Sequence, residues 1–155
     1  DARPMGRTAT GVKAITLNEG DYVVSALKVD PNGQILNVTE KGFGKQTTTE
    51  QFNLQYRGGK GLKIHQLTEK TGDLTGVLMI GEKDELMLIT SEGVIIRLRA
   101  KDISSYGRVS QGVKLMNLDE GVSVVGIAKI SEEDIEEETV EEAVETVDET
   151  TDTEA

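Results

Sequence analysis

Arg7-x-x-x-Gly11-Val12-Lys13-x-x-x-Leu17 is the first of three copies of one phrase in this chain, in which Leu62 takes the place of valine in the second copy. The second copy runs from Arg57 to Leu67 and the third from Arg108 to Leu118, so the copies begin 50 and 51 residues apart. A shorter phrase keeps the same spacing, because Thr39-Glu40-Lys41-Gly42 is matched by Thr90-Ser91-Glu92-Gly93. Repetition at a period of this size is typical of repeated supersecondary units. The repeat is therefore the strongest indication of the fold.

Short β-branched stretches lie between the phrases, and turn sequences rich in Gly, Asn and Asp separate them. No segment before Ser131 keeps a helical period. The pattern predicts strands over residues 21–29, 34–39, 74–80, 85–90, 93–99 and 121–130. Strands of this length within a fifty-residue repeat indicate an all-β fold of propeller-like blades with about four strands each. The chain would supply about two blades plus part of another, and we expect the remaining blades of this partial array to lie upstream in a longer parent protein.

Composition excludes several classes of function. The chain has 155 residues, no cysteine and a single histidine, so disulfides, thiolate metal sites and cysteine nucleophiles are ruled out. We interpret His65, which lies in a strand-like stretch, as structural, and we expect no catalytic and no metal-binding residues in the chain. No apolar run reaches the roughly 20 residues of a membrane helix, so we expect no membrane partner.

Charge divides the chain into two parts. Residues 1–130 contain all 17 basic residues and 15 acidic ones, a net charge of +2, whereas residues 131–155 contain 13 acidic residues and no basic one. We therefore predict a folded domain over 1–130 and an acidic C-terminal tail over 131–155. Ser131 could cap a short helix there, but the composition of the tail favours disorder.

The richest basic stretch is Gln55-Tyr56-Arg57-Gly58-Gly59-Lys60-Gly61-Leu62-Lys63. Glycines allow close backbone approach to a ligand, and amides together with cations suit phosphates. A tight turn with incidental lysines is the alternative for this stretch, and a solvated strand face is the alternative for Arg97 and Arg99. Recurrence of the cations in each repeat favours a polyphosphate backbone as partner. The candidate DNA-binding residues are Arg7, Lys13, Lys41, Lys45, Arg57, Gly58, Gly59, Lys60, Lys63, Arg97, Arg99, Arg108 and Lys114.

These phrases resemble the C-terminal domain of the DNA gyrase A protein. Residues 5–12, 56–63, 86–94 and 106–115 are similar to its blade motifs, and the acidic ending is similar to tails on many of its members. Arg57-Gly58-Gly59-Lys60-Gly61 is similar to the core of the family's glutamine-led "gyrase box", although Gln55-Tyr56 stands where the box has Gln-Arg. We therefore interpret it as a box-like copy in a later blade.

The resemblance implies a β-pinwheel that bends duplex DNA around a basic rim, so that a type II topoisomerase introduces negative supercoils with ATP. It further implies a bacterial, cytoplasmic and nucleoid-associated protein, in which a dimer of gyrase A binds the gyrase B protein to form an A2B2 complex. This fragment itself would be non-catalytic and hold no cofactor, since ATP and Mg²⁺ would be used by other domains or proteins of the complex. The alternatives are the related C-terminal domain of topoisomerase IV, which wraps DNA weakly, and a protein-interaction propeller.

Overall fold

The computed structural model describes residues 3–136 and residue 139. In this part of the chain nearly all regular structure is β-strand, as the repeat predicts, with two short 3₁₀ turns and one helical turn over residues 132–136. No helix in these residues is both long and apolar enough to cross a membrane. The strands are β1 Gln34–Thr39, β2 Phe43–Thr48, β3 Leu74–Ile80, β4 Glu85–Thr90, β5 Ile95–Arg99, β6 Val113–Lys114 and β7 Val124–Ile130, and the 3₁₀ turns are Thr49–Gln51 and Ala100–Asp102.

The strands form two antiparallel sheets built on one plan. The first sheet has the order β3-β1-β2-β6 and the second has the order β5-β4-β7. The hairpin β1-β2 therefore corresponds to β4-β5, and β3 corresponds to β7. Even the irregularity recurs: the register shifts between Val38 and Thr39 in the first sheet and between Ile89 and Thr90 in the second, 51 residues later. Each sheet is one blade of the repeat, and the first has the predicted four strands.

The two blades share one hydrophobic core and pack through β3 and β7. Gly76 allows this approach, because a Cβ at that position would lie 2.6 Å from Ile127 Cδ1. Thr75 adds a polar contact by donating its hydroxyl to the carbonyl oxygen of Val124 at 3.0 Å. The buried core consists of Leu36, Val38, Ile80, Leu86, Leu88, Ala100, Ile103 and Val124.

The outer edge of the first blade is closed by the next phrase of the chain. β6 belongs to the third Arg phrase, and it pairs with β2 through Phe43↔Lys114 and Gly44↔Val113. The amide of Leu115 extends this ladder by donating to the carbonyl oxygen of Gly42 at 2.8 Å. A strand pair thus connects one repeat to the phrase of the following one.

One predicted strand, residues 21–29, does not form. The segment is exposed along its whole length and pairs with no strand of the described chain. Its sequence Val23–Val29 matches Val124–Ile130, which pairs with β4 beginning 39 residues upstream. Residues 23–29 have no equivalent partner strand among the described residues, and a strand needs such a partner for its backbone hydrogen bonds.

Two strands are not predicted by the sequence pattern, and two are shorter than predicted. β2 (Phe43–Thr48) is polar in sequence, with Lys45 and Gln46 at its centre, yet it is almost wholly buried. β6 has only two residues. The predicted strands over 93–99 and 121–130 begin instead at Ile95 and Val124, after their turns. Burial alternates along β5, since Ile96 and Leu98 are half-buried between exposed neighbours.

We predict that Gly112→Ala destabilises the fold more than Gly93→Ala. Both glycines have positive φ, +73° and +81°, so alanine costs about 1–2 kcal/mol at either position. A Cβ at position 112 would also lie 2.5 Å from the carbonyl oxygen of Gly44, whereas position 93 has nothing within 4 Å. Chemical denaturation of the two variants measures the difference, and equal losses would show that the approach of the third phrase to β2 is not tight.

Candidate nucleic-acid interface

The three Arg phrases lie side by side in chain order. The first and second are joined by backbone hydrogen bonds, from the Thr16 amide to the Gly59 carbonyl at 2.8 Å and from the Gly58 amide to the Ala14 carbonyl at 2.7 Å. The second and third are joined by the Gln66 amide, which donates to the Ser110 carbonyl at 3.1 Å. That bond is equivalent to the Thr16–Gly59 bond, because its donor and acceptor each lie one repeat further along the chain. We call the surface formed by residues 7–17, 57–67 and 108–118 the phrase surface.

The glycine of the phrase has the same backbone conformation in every copy. Gly11, Gly61 and Gly112 have φ values of +86°, +76° and +73°. Residues with a Cβ rarely adopt this left-handed backbone conformation, so the phrase needs glycine at this position. A common turn at this point places the flanking cations of each copy in the same relation to the backbone.

Most of the predicted basic residues of the phrases are exposed. No carboxylate within the described residues forms an ion pair with Arg7, Arg57 or Arg108. Cations without acidic partners remain available to an anionic ligand. In the predicted set, Gly58 and Arg108 are half-buried, and the exposed phrase residues are Arg7, Lys13, Arg57, Gly59, Lys60, Lys63 and Lys114.

A shallow, open hollow of about 570 Å³ lies between the first and second phrases. Val12 and Lys13 line it from one phrase, and Tyr56, Arg57 and Gly58 line it from the other. The Tyr56 side chain is 90% exposed, so an aromatic face lies beside two cations. This combination suits a sugar-phosphate backbone, which offers both charge and apolar surface.

Arg108 is held more firmly than its counterparts. Its guanidinium donates through Nη1 to the Lys63 carbonyl at 2.9 Å and lies 6.0 Å from the centre of the Phe52 ring. Its backbone amide donates to Gln51 Oε1 at 2.9 Å. Arginine has five donors in a fixed fork, so these contacts fix its position and leave further donors for a ligand.

Lys45 does not belong to this exposed set. It is fully buried, and its ammonium donates to the carbonyl oxygens of Gly107 and Arg108 and to Ser110 Oγ, at 2.7, 2.8 and 3.0 Å. The prediction that Lys45 contacts DNA directly is therefore wrong for this structure. Its position on β2 puts it beneath the third phrase, which the sequence pattern alone does not indicate.

Arg97 and Arg99 are exposed on β5, but each has an acidic partner. Arg97 pairs with Glu85, and Arg99 Nε donates to Asp102 at 2.7 Å. Such pairs weaken the positive potential that an anion would meet at this strand. They favour the alternative interpretation, in which Arg97 and Arg99 form a solvated strand face. Their role in DNA binding stays a prediction.

Lys70 is a basic residue that the repeat does not predict. It lines a hollow of about 340 Å³ with Lys41 and Lys114, both of which belong to the predicted set, although Asp119 and Glu120 line it as well. Lys41 is exposed and donates through Nζ to the Glu69 carbonyl. Lys70-Thr71 is an insertion between Glu69 and Gly72, since Glu19-Gly20 and Glu120-Gly121 are adjacent in the other copies. Lys70 therefore has no equivalent residue in the other copies, and the repeat could not predict it.

His65 lies in a buried polar cluster behind the second phrase. Only 3% of it is exposed, and its Nδ1 is 2.6 Å from Asn37 Oδ1. Burial and the nearby Lys45 charge lower the pKa of His65, while a backbone hydrogen bond with Gln111 partly offsets them. The imidazole is therefore mostly neutral at pH 7, and its Nδ1 is hydrogen-bonded to Asn37 Oδ1. A structural role for His65 agrees with these contacts.

A repeated antiparallel blade, closed at its edge by the following phrase and carrying a row of mostly exposed cations, defines a propeller-type domain with a basic surface. The model of the family described as "DNA gyrase C-terminal domain, beta-propeller" matches residues 1–30, 34–80 and 84–131. The chain belongs to this family.

Relatives and solved structures agree with that assignment. The DNA gyrase A protein of Staphylococcus epidermidis (strain ATCC 12228 / FDA PCI 1200) is 46% identical over 134 residues, which cover 85% of this chain and 15% of that protein. A gyrase A C-terminal domain structure superposes with a TM-score of 0.76 at 28% identity, covering 84% of this chain and 44% of that one. The C-terminal domain of DNA topoisomerase IV gives 0.74 and 28%, with coverages of 88% and 42%. The chain therefore spans a small part of its full-length relatives and under half of the solved domains.

We predict that the pKa of His65 lies below the usual 6.5 and rises in Lys45→Met. Burial, the larger cause, persists in the variant, whereas the repulsion from the ammonium is removed. His65 is the only histidine, so an NMR titration of its ring follows one residue. The folded pKa is lowered, so the unfolded chain binds more protons, and stability falls as pH drops through 6.5. An unchanged pKa in Lys45→Met would contradict the proximity of the two charges.

Proposed function

We propose that this chain forms the last blades of the C-terminal domain of a DNA gyrase A protein, and that it binds duplex DNA across the phrase surface. One observation supports the proposal above all others: the same backbone hydrogen bond joins successive phrases, so the cations of one repeat lie next to those of the following repeat. Cations that lie next to each other from one repeat to the following one suit the regular charge of a phosphate backbone.

Wrapping is the use that such a surface best supports. Bending 20–30 base pairs by 40–90° costs on the order of 1–6 kcal/mol, and contacts spread over several blades can offset that cost. Backbone contacts carry no sequence information, which suits a protein that must act at many sequences. We therefore propose that the domain bends DNA so that the parent type II topoisomerase introduces negative supercoils.

The parent protein would supply everything else. We propose that further blades precede this chain, and that residues 21–29 pair with the strand of such a blade. That pairing would cover an apolar face on which Tyr22 is now 71% exposed. ATP and Mg²⁺ would be used by other domains and by the gyrase B protein, in an A2B2 complex acting on the bacterial nucleoid in the cytoplasm. Relatives at 45–46% identity are gyrase A proteins, and this favours the assignment over topoisomerase IV, since the solved domains of both are 28% identical to this chain.

We predict that Arg57→Ala weakens duplex DNA binding about equally on unrelated sequences. Loss of one phosphate contact reduces the slope of log K against log salt by about 0.9 in magnitude. Fluorescence anisotropy over a salt series measures both quantities. Lys83→Met is the matched control, because Lys83 is exposed, lies in the turn before β4 and pairs with Glu132; it removes the same charge outside the phrases. Equal effects of the two variants would show that binding depends only on the net charge of the protein, which would contradict the proposal.

We also propose that residues 131–155 compete with DNA for the phrase surface. The structure describes the start of this tail, where Ser131 Oγ and Asp134 form a helix cap and Glu132 pairs with Lys83. The disorder expected for residues 131–155 stays a prediction, and residues 137–138 and 140–155 lie outside the described residues.

Deletion of residues 131–155 removes 13 negative charges and should tighten DNA binding at low salt, with a smaller gain at high salt because of screening. Anisotropy titrations of the full and shortened chains test this. Unchanged affinity at low salt would exclude competition by the tail.

A further inference from the structure

The first blade contains a buried polar pair where the second blade is apolar. Asn37 on β1 lies opposite Lys45 on β2, and both are fully buried. At the same register 51 residues later, Leu88 lies opposite Ile96. The fold therefore does not require polar residues at these positions. A buried charge is costly unless it is well paired, so Lys45 must have a use specific to the first blade.

The partners of Lys45 show which part of the molecule it holds. Its ammonium has three donors, and Gly107, Arg108 and Ser110 provide three acceptors within 3.0 Å, 62 to 65 residues away in sequence. Every donor is thus used. Ser110 Oγ in turn donates to the Gly107 carbonyl at 2.9 Å, so the turn that contains Arg108 closes around the ammonium.

The rest of β2 holds the same turn by its other polar groups. The Tyr106 amide donates to the Gln46 carbonyl at 2.9 Å, and Thr47 Oγ1 donates to the Tyr106 carbonyl at 3.1 Å. This explains why a strand with a polar sequence is buried. Its side chains form the base on which the third phrase begins.

We propose that Lys45 is a positioning residue, which fixes the 107–110 turn so that Arg108 lies against the second phrase and meets DNA in line with it. The Arg108 guanidinium reaches the Lys63 carbonyl, so the turn held by Lys45 is also the contact between two neighbouring phrases. The inference rests on the proposed function. Lys45 itself never touches the ligand.

Protonation links this anchor to pH. Burial, and then the charge of Arg108, lower the pKa of Lys45 to about 8. The ammonium is therefore mostly protonated at pH 7, and above pH 8 it loses one of its three donors. His65 is the other titratable group beside it and stays neutral over this range, while Arg108 stays charged.

The test uses Lys45→Met, which keeps the length of the side chain and removes its donors. Amide hydrogen exchange without DNA measures the turn itself. We expect exchange in residues 107–112 to accelerate by about tenfold or more, given the strength of hydrogen bonds to charged groups, while the β4–β7 pairing keeps its protection. In the unsubstituted protein the same amides should exchange faster above pH 8, after correction for intrinsic rates, and Lys45→Met should lose that pH dependence.

DNA binding supplies the second measurement. Lys45→Met should lower the salt slope by about 0.9, as one phosphate contact predicts, and Arg108→Ala should do the same. The double variant should lose no more DNA affinity than either single variant, because both substitutions remove the same contact. Lys83→Met is again the control for loss of an exposed charge. If Lys45→Met proves unfolded, Ser110→Ala removes one acceptor and should give a smaller acceleration of the same amides.

Two results would overturn the inference. Unchanged exchange in residues 107–112 for a folded Lys45→Met, or for Ser110→Ala in its place, shows that the turn needs no anchor. Full DNA affinity in Lys45→Met, when Arg108→Ala weakens binding, shows that the anchor does not position Arg108. If neither Arg57→Ala nor Arg108→Ala affects DNA binding, the proposed function fails and the positioning role fails with it, whereas the first two results leave the proposed function intact.

Discussion

The pairing of β2 with β6 is the constraint on which the other features depend. Two residues of the third phrase complete the edge of a sheet formed by strands much earlier in the chain, and Gly112 comes so close to Gly44 that no side chain fits between them. The third phrase is ordered by the neighbouring blade, through this pairing and through Leu115, Met116 and Leu118, which pack against the core. The spacing of the phrases is therefore set by the spacing of the blades. Cations that recur in sequence recur in space for the same reason.

The repeat period predicts most of this arrangement. It fails where the structure around a residue is set by a spatial neighbour and differs from that of the equivalent residue in another repeat. The segment 23–29 is similar in sequence to β7 but has no partner strand among the described residues, so its pattern alone could not settle its structure. The sequence pattern misses β2 for a different reason. Its polar side chains are hydrogen-bonded to a turn distant in sequence, at residues 106–110. The repeat likewise predicts the order of the phrases, whereas exposure could not be predicted for each cation. Lys45 and Lys63 are both lysines of a glycine-rich stretch, yet one is buried and the other exposed.

Comparison of the two blades separates what the fold needs from what each blade does. Register, bulge and hairpin turns are the same in both, including the positive φ of Gly42 and Gly93. The residues at the centre of the pairing differ completely, since Asn37 and Lys45 face each other in one blade and Leu88 and Ile96 in the other. An apolar pair stabilises its blade by burial alone. A polar pair is retained only with partners for each donor, so it ties its blade to a particular neighbour and gives a repeat array a definite local geometry.

Local charge, rather than net charge, decides how such a domain meets DNA. A net charge of −11 suggests repulsion, but exposed charges act over a Debye length of about 10 Å at 0.1 M salt. Within that distance the phrases present cations that pair with no carboxylate of the described residues, while the second sheet and its turns carry balanced pairs such as Arg99–Asp102 and Lys129–Asp84. The carboxylates of the described blades therefore neutralise the sheet face and leave the phrases positive. If the phrase surface binds DNA as proposed, the acidic tail would change this balance only by approaching the phrases, so its effect would be competition and not bulk repulsion.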